Sequence, residues 1–234
     1  LLQLHALEAF VDRLTKSAHA GDFTLKGGVL LSAYDVRRPT RDVDLSTHTL
    51  PNTTATVEKV IAAIANVPCE DGWTLAPGHA EIIREDAAYS GVRVTVQGIL
   101  ASARQQFHVD ISFGDPISPP PVRVSLDRLL GGQISVLGYP LSMVYAEKLV
   151  TAIQRGTTNT RWRDYADVFL LSRAHAIRGE KLAHSLQRVA QARGVTLRAL
   201  SAAIEGYADL AQGRWAAWVR KQQLAALLTL AFPE

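Results

Sequence analysis

Apolar and polar positions alternate with period two in the middle of the chain and recur with helical period towards both ends. In "QFHVDISFGD", Phe107, Val109 and Ile111 fall on one side of an extended chain. His108, Asp110 and Ser112 fall on the other, because successive strand side chains point to opposite faces. The runs "WTLAPG", "AEIIRED" and "GVRVTVQGILAS" precede it, with turn residues between them, and predict an antiparallel or mixed sheet. Near the start, Leu4, Leu7, Phe10, Val11 and Leu14 predict an amphipathic helix over residues 4–18. "DFTLKGG" predicts a short strand ending in glycines, and "GVLLSAYDV" a helix starting at them. "RPTRDVDLST" is extended, and "TTATVEKVIAAIANV" is a helix behind threonine caps. Beyond the proline-rich connector "SPPPVRV", "LSMVYAEKLVTAIQRG" is a helix closed by Gly156. "RDYADVFLLSRAH", "GEKLAHSLQRVAQARG", "TLRALSAAIEGYADLAQG" and "RWAAWVRKQQLAALLTL" continue as helices to residue 231. The expected class is α+β, with a mixed-sheet domain over residues 1–138 and a helical domain over 139–234.

Composition narrows the function classes. With 47% hydrophobic and 20% charged residues the chain reads as soluble and globular. No run approaches the roughly 18 apolar residues of a membrane helix, so no membrane partner is expected. The first residues carry Glu8 and Asp12 at helical spacing, unlike a secretory signal. Cys69 is the single cysteine, which excludes an internal disulfide and points to a reducing cytoplasm. One cysteine and seven scattered histidines provide no zinc-ligand spacing. The net charge of +3 is unevenly spread. Residues 1–144 carry 12 Lys+Arg against 15 Asp+Glu, a balance of −3, and residues 145–234 carry 13 against 7, a balance of +6. An acidic part suited to metal thus precedes a basic part suited to phosphates.

The segment "RRPTRDVDLSTHTL" places two acids one residue apart between sheet-forming residues. Read as a strand, it points Arg38, Thr40, Asp42 and Asp44 one way and Val43 and Leu45 towards a core. Acids at this spacing stand roughly 7 Å apart at the backbone and can converge on a hard cation such as Mg²⁺, which takes oxygen ligands and shares its shell with phosphates. A neighbouring strand would add Asp110, and three carboxylates suit two divalent ions in an in-line phosphoryl or nucleotidyl displacement. Asp110 would hold metal or take the proton of the attacking hydroxyl. About 15 residues upstream, Gly27 and Gly28 stand between strand and helix, where bare backbone N–H groups can approach a phosphate. Lys26 either neutralises phosphate or is a solvated strand end.

"KGGVLLSAYDVRRPTRDVDL" resembles the first motif of the AbiEii/AbiGii-type toxins, in the DNA polymerase β-like nucleotidyltransferase superfamily. Lys26, Gly27, Gly28, Leu31, Arg38, Thr40, Asp42 and Asp44 supply the family's K-G-G-x-x-L and R-x-[ST]-x-D-x-D pattern. "YPLSMVYAEKLVTAIQRGTTNTRWRDYADVFLL" is similar to its later motifs, departing at Phe169, where the family has a shorter aliphatic residue. The resemblance spans residues 25–171 in pieces. It implies a nucleotidyltransferase-fold sheet domain and assigns Asp42, Asp44 and Asp110 to metal. It implies a nucleotide site of Lys26, Gly27, Gly28, Arg38 and Thr40. It also implies that Lys148 contacts the triphosphate, that Arg155 lies two turns on along the same helix face, and that Asp164 and Asp167 complete the site. Thr40 would bind phosphate or itself accept a modification. The implied function is that of a toxin of a bacterial toxin–antitoxin or abortive-infection system, with an antitoxin encoded nearby. Such a toxin would use Mg²⁺ and a nucleoside triphosphate to modify an RNA, most simply the 3′ end of tRNA. "RWAAWVRK" offers Arg214, Arg220 and Lys221 beside Trp215 and Trp218, either as an RNA-stacking surface or as core tryptophans. The alternatives are a transferase acting on a protein or small molecule, and a non-catalytic nucleotide- or RNA-binding relative.

Overall fold

Period-two alternation and helical period sort this chain into a sheet-bearing unit and a helical unit. The computed structural model describes residues 1–86, 89–229 and 231–232. One compact unit is Leu1–Asp115 with Pro120–Tyr139, and the other is Pro116–Pro119 with Pro140–Glu234.

The first unit contains α1 (Leu2–Lys16), β1 (Thr24–Lys26), α2 (Gly27–Leu30), β2 (Asp42–Thr47), α3 (Thr54–Ala65), β3 (Trp73–Asp86), β4 (Tyr89–Leu100), β5 (Ala103–Phe113), β6 (Val122–Asp127) and β7 (Gln133–Gly138). The strands form one seven-stranded sheet in the order β3-β4-β5-β2-β1-β7-β6. β2 with β5 and β1 with β7 are parallel, and the other pairs are antiparallel. Alternation decides which face is covered. Val43, Leu45, Phe107, Val109, Ile111, Val92, Val94 and Val96 are all buried. Against them pack Leu7, Phe10, Val11 and Leu14 of α1, with Phe10 edge-on to Phe107 at 6.0 Å. α3 packs beside α1 through Val57, Ile61 and Ile64. Each such side chain contributes about 1.5–3 kcal/mol of burial. Thr53 caps α3, its side chain accepting the Thr56 N–H.

Local chemistry accounts for the departures from the sequence reading. The helix expected after the glycines is the four-residue α2 and a 3₁₀ turn, Leu31–Tyr34, ended by Asp35 at φ +56°. The extended run expected from Arg38 becomes strand only at Asp42, with the Arg41 carbonyl already accepting the His108 N–H, and Pro39 ahead of it has no N–H to give a ladder. "WTLAPG" and "AEIIRED" are one strand, β3, with an irregularity between Pro77 and Ala80. The proline-rich connector leads into a hairpin, β6–β7, that the sequence pattern did not reveal.

The second unit is helical: α4 (Leu141–Arg155), a 3₁₀ turn (Gly156–Thr158), α5 (Trp162–Ala174), α6 (Gly179–Ala192), α7 (Leu200–Ala203) and α8 (Tyr207–Lys221). The helix expected over residues 196–213 breaks at Gly206, which holds φ +72°. α8 then ends at Lys221, with Gln223 at φ +57°, rather than running to residue 231. Residue 230 lies outside the described residues. Ala166, Tyr207, Ala211, Trp215, Val219, Leu224, Leu228 and Phe232 form the core. Trp215 is fully buried, donates Nε1–H to the carbonyls of Thr229 and Ala231, and lies 5.4 Å from Trp218. Trp215 is therefore core, with the half-buried Trp218 packed against it, while Arg214, Arg220 and Lys221 are exposed. Among the described residues, no helix is long and apolar enough to cross a membrane.

Candidate active site

The polar face of the first unit's sheet carries a ladder of charges. Strand pairing sets Glu81 of β3 opposite Arg93 of β4, Arg93 opposite Asp110 of β5, Asp110 beside Asp44 of β2, and Asp44 opposite Lys26 of β1. Directly paired residues share a face, so five strands present an acid–base–acid–acid–base row at one level. Asp42 lies in the next row beside His108, which in turn faces Thr95. Asp42, Asp44 and Asp110 therefore share one face, as the alternation required. Neighbouring cations offset the repulsion between like charges.

The contacts are specific. Arg93 Nε and Nη2 donate to the two oxygens of Asp110 at 2.7 and 2.6 Å. Asp110 is almost fully buried, and Arg93 is 31% exposed. Asp110 pushes the guanidinium pKa further up, against burial, with smaller help from Asp42 and Glu81. His108 Nδ1 lies 3.0 Å from an Asp42 oxygen. Lys26 Nζ donates to Asp115 at 3.0 Å, and Ser112 holds the same carboxylate oxygen. Lys26 is thus an ion-paired and largely buried lysine, not a solvated strand end.

The glycines are explained by what stands over them. Gly27 has φ +66°, and a Cβ there would lie 1.8 Å from Asp44 Oδ2. At Gly28 a Cβ would lie 2.6 Å from Thr40 Oγ1 and 3.2 Å from Arg38 Nη1. The glycine pair lets Asp44, Thr40 and Arg38 close over the turn. Arg38 and Thr40 are buried there, although they precede β2. A four-residue helix adds little of the dipole expected at this turn.

The remaining expected residues lie in the second unit. Lys148 of α4 donates to Asp164 at 2.8 Å and to Asp167 at 2.7 Å, both on α5. Arg161 Nε also donates to Asp164, at 2.6 Å. Asp167 is wholly buried. Lys148, Leu149, Ala152, Asp164, Tyr165, Val168 and Leu200 line a small pocket. Arg155 is the half-buried last residue of α4. Glu147 pairs with Arg193 and hence serves structure.

Burial raises the Asp164 pKa, but Lys148 and then Arg161 outweigh it and hold the carboxyl well below the usual range. The unfolded chain therefore takes up this proton first. The stability from this ion is present above the unfolded value of roughly 3.9 and is lost as pH falls through the folded value. Urea unfolding is expected to give a smaller free energy at pH 3 than at pH 7, and the difference should shrink in Asp164→Asn.

Whether the acid row fits a metal depends on its donors. Among the described residues, no group of three or more His, Cys, Asp or Glu side chains is arranged to hold one. Asp42 and Asp44 nonetheless form a pair of carboxylates on one strand face, which fits a Mg²⁺ ion that keeps water and substrate oxygens as its other ligands. Asp110, with both oxygens on Arg93, does not fit as it stands. Arg93 is the residue the sequence reading missed. Its signal was its place between Val92 and Val94 on an alternating strand, but its partner follows only from the β4–β5 register.

A family model described as nucleotidyl transferase AbiEii toxin, type IV toxin–antitoxin system, matches residues 9–230. No curated protein matches the chain. Among solved structures, an H. pylori protein described as a candidate nucleotidyltransferase is 16% identical, at TM-score 0.49, over 96% of this chain and 82% of that one. JHP933 from Helicobacter pylori is 14% identical, at TM-score 0.41, over 95% and 96%. The antibiotic-resistance factor ANT(2″)-Ia is 12% identical, at TM-score 0.36, over 95% and 98%.

Proposed function

Because the chain belongs to the AbiEii family of nucleotidyl transferase toxins of type IV toxin–antitoxin systems, we propose that it is a Mg²⁺-dependent enzyme that moves a nucleoside monophosphate from a nucleoside triphosphate to RNA, with the 3′ end of tRNA as acceptor. The family also implies an antitoxin partner. One arrangement carries the reading: Asp42, Asp44 and Asp110 share a polar face, and the Gly27 turn is pressed against Asp44.

Asp42 and Asp44 hold the ion. A bound divalent ion supplies Lewis acidity at the phosphate oxygens. Gly27, Gly28, Arg38 and Thr40 form the turn that receives the nucleotide, and Lys26 adds positive charge beside Asp44. The acceptor hydroxyl oxygen bonds to the α-phosphorus. The bond from that phosphorus to the α–β bridging oxygen breaks, and pyrophosphate leaves with the electron pair. The hydroxyl proton passes to a carboxylate of the row, with Asp110 the base expected from its position once Arg93 releases one of its oxygens. Lys148 and Arg155 take a phosphate-binding role, with Asp164 and Asp167 orienting the lysine. The +6 balance of residues 145–234 and the exposed Arg214, Arg220 and Lys221 support an RNA acceptor, because phosphate neutralisation dominates such affinity.

Expression in a bacterial host without antitoxin tests this. Growth is expected to stop with the native chain and to continue with Asp42→Ala at equal soluble level and unchanged circular dichroism. Full toxicity of Asp42→Ala would overturn the reading.

A further inference from the structure

Asp115 is a buried acid over the polar face of the sheet that the ladder of strand pairing does not include. It stands just beyond β5, after Gly114, which holds φ +73° and donates its N–H to the carbonyl of Thr47 on β2. That left-handed residue ends the strand and lets the next side chain turn back over the sheet. One Asp115 oxygen accepts from Ser112 on β5 and, at 3.0 Å, from Lys26 on β1. β2 lies between those two strands. Lysine and carboxylate together therefore span β2, where it presents the small, buried Ser46 beside Ser112.

The lysine end of this bridge is the residue that enters the Gly27 turn. Register sets Lys26 opposite Asp44, at the level of the acid row. A lysine ammonium rides on a flexible stem, and holding it in one place costs rotamer freedom. Asp115 removes that freedom in the folded chain, before any ligand arrives. The side chains of Lys26 and Asp115 are 13% and 11% exposed, so water competes little for the pair. Ser112 holds the carboxylate in turn, which sets one position for the ammonium.

We propose, resting on the reading of the Gly27 turn as the nucleotide site, that Asp115 is a positioning residue of that site: braced by Ser112, it holds the Lys26 ammonium ready for the triphosphate. Its own charge works the other way, since an acid near a phosphate repels it. Positioning and charge therefore predict opposite changes in phosphate affinity when Asp115 is lost. Variants that keep the charge and disturb only the placement isolate the positioning.

The test is a calorimetric titration of the purified full chain with inorganic triphosphate in Mg²⁺ buffer, with melting temperatures to show that each variant is folded. Lys26→Met is expected to bind at least about tenfold more weakly than the native chain. Asp115→Glu keeps the charge and displaces the carboxylate, and is expected to bind about tenfold more weakly. Ser112→Ala keeps both charges and removes the brace, and is expected to bind about threefold more weakly, within the range for freeing one flexible side chain. In a Lys26→Met background neither substitution is expected to weaken binding further, because residues that act through one another are not additive. A merely structural loss would add to that of Lys26→Met. Ser112→Ala decides the matter if Asp115→Glu does not fold. Unchanged or tighter binding in Ser112→Ala or in a folded Asp115→Glu, or additive losses in the double variants, would overturn the proposal while leaving the nucleotide reading intact. Unchanged binding in Lys26→Met would do the same. No binding by the native chain would overturn the reading of the turn as a phosphate site and this proposal with it.

Discussion

Gly27→Ala is expected to cost as much activity as removing Asp44 itself, on the order of 10³-fold in transfer rate, although alanine deletes no functional group. The residue holds φ +66°, a left-handed conformation that costs a side-chain-bearing residue about 1–2 kcal/mol. The steric term is larger. The new Cβ would lie 1.8 Å from Asp44 Oδ2, 2.5 Å from its Cγ and 2.8 Å from its Cβ. The backbone of Asp44 cannot retreat, because β2 is paired with β1 on one side and β5 on the other at this level. The carboxylate must therefore rotate away from the site. Misplacing a reacting or binding group by about 1 Å already costs on the order of 10²-fold, and here the required shift is greater. Gly28→Ala supplies the internal control. Its Cβ would meet Thr40 Oγ1 at 2.6 Å and no acid, and its backbone is not left-handed. Its loss is expected to be at least tenfold smaller. Steady-state kinetics of both variants, with melting temperatures to show that each is folded, check the ranking.

Asp167→Ala is expected to destabilise the chain by about 3 kcal/mol, the low end for breaking a buried ion pair. Asp167 is wholly buried and Lys148 nearly so, so the alanine takes from a buried ammonium one of the carboxylates that hold it. The low end applies because Asp164 keeps its contact with Lys148 at 2.8 Å. Glu147→Ala gives the contrast. The Glu147–Arg193 pair is partly solvated, and its loss is expected to cost about 1 kcal/mol or less. Urea unfolding of the full chain at pH 7 compares the two.

The face that carries the chemistry was legible because a strand's period is two. Val43 and Leu45 against Asp42 and Asp44, and Val109 against Asp110, allow one assignment once one side is buried. The glycines were legible as a turn, but not for their physical reason: the fit of Gly27 under Asp44 is a contact between the turn after β1 and the neighbouring strand β2, not a property of "KGG". Arg93 was hidden for the same reason, since its partner is 17 residues away and depends on hairpin register. The β6–β7 hairpin was masked by the prolines before it and by Gly131 and Gly132 in its turn. In the second unit, Lys148 and Asp167 reflect the family pattern. Their direct pairing depends on how α4 and α5 pack, which helical period alone does not determine. The tryptophans of "RWAAWVRK" fit either a surface or a core by spacing, and the chain beyond α8 supplies the carbonyls that bury Trp215.

The most direct measurement is transfer itself. The purified chain is incubated with Mg²⁺, total bacterial tRNA and each of the four α-³²P-labelled nucleoside triphosphates in turn, beside Asp42→Ala. Label on tRNA from the native chain, lost in Asp42→Ala, is the predicted result and identifies the nucleotide. Label appearing on protein instead, or equally on tRNA with Asp42→Ala, would contradict the assignment of this acid row to RNA nucleotidyl transfer.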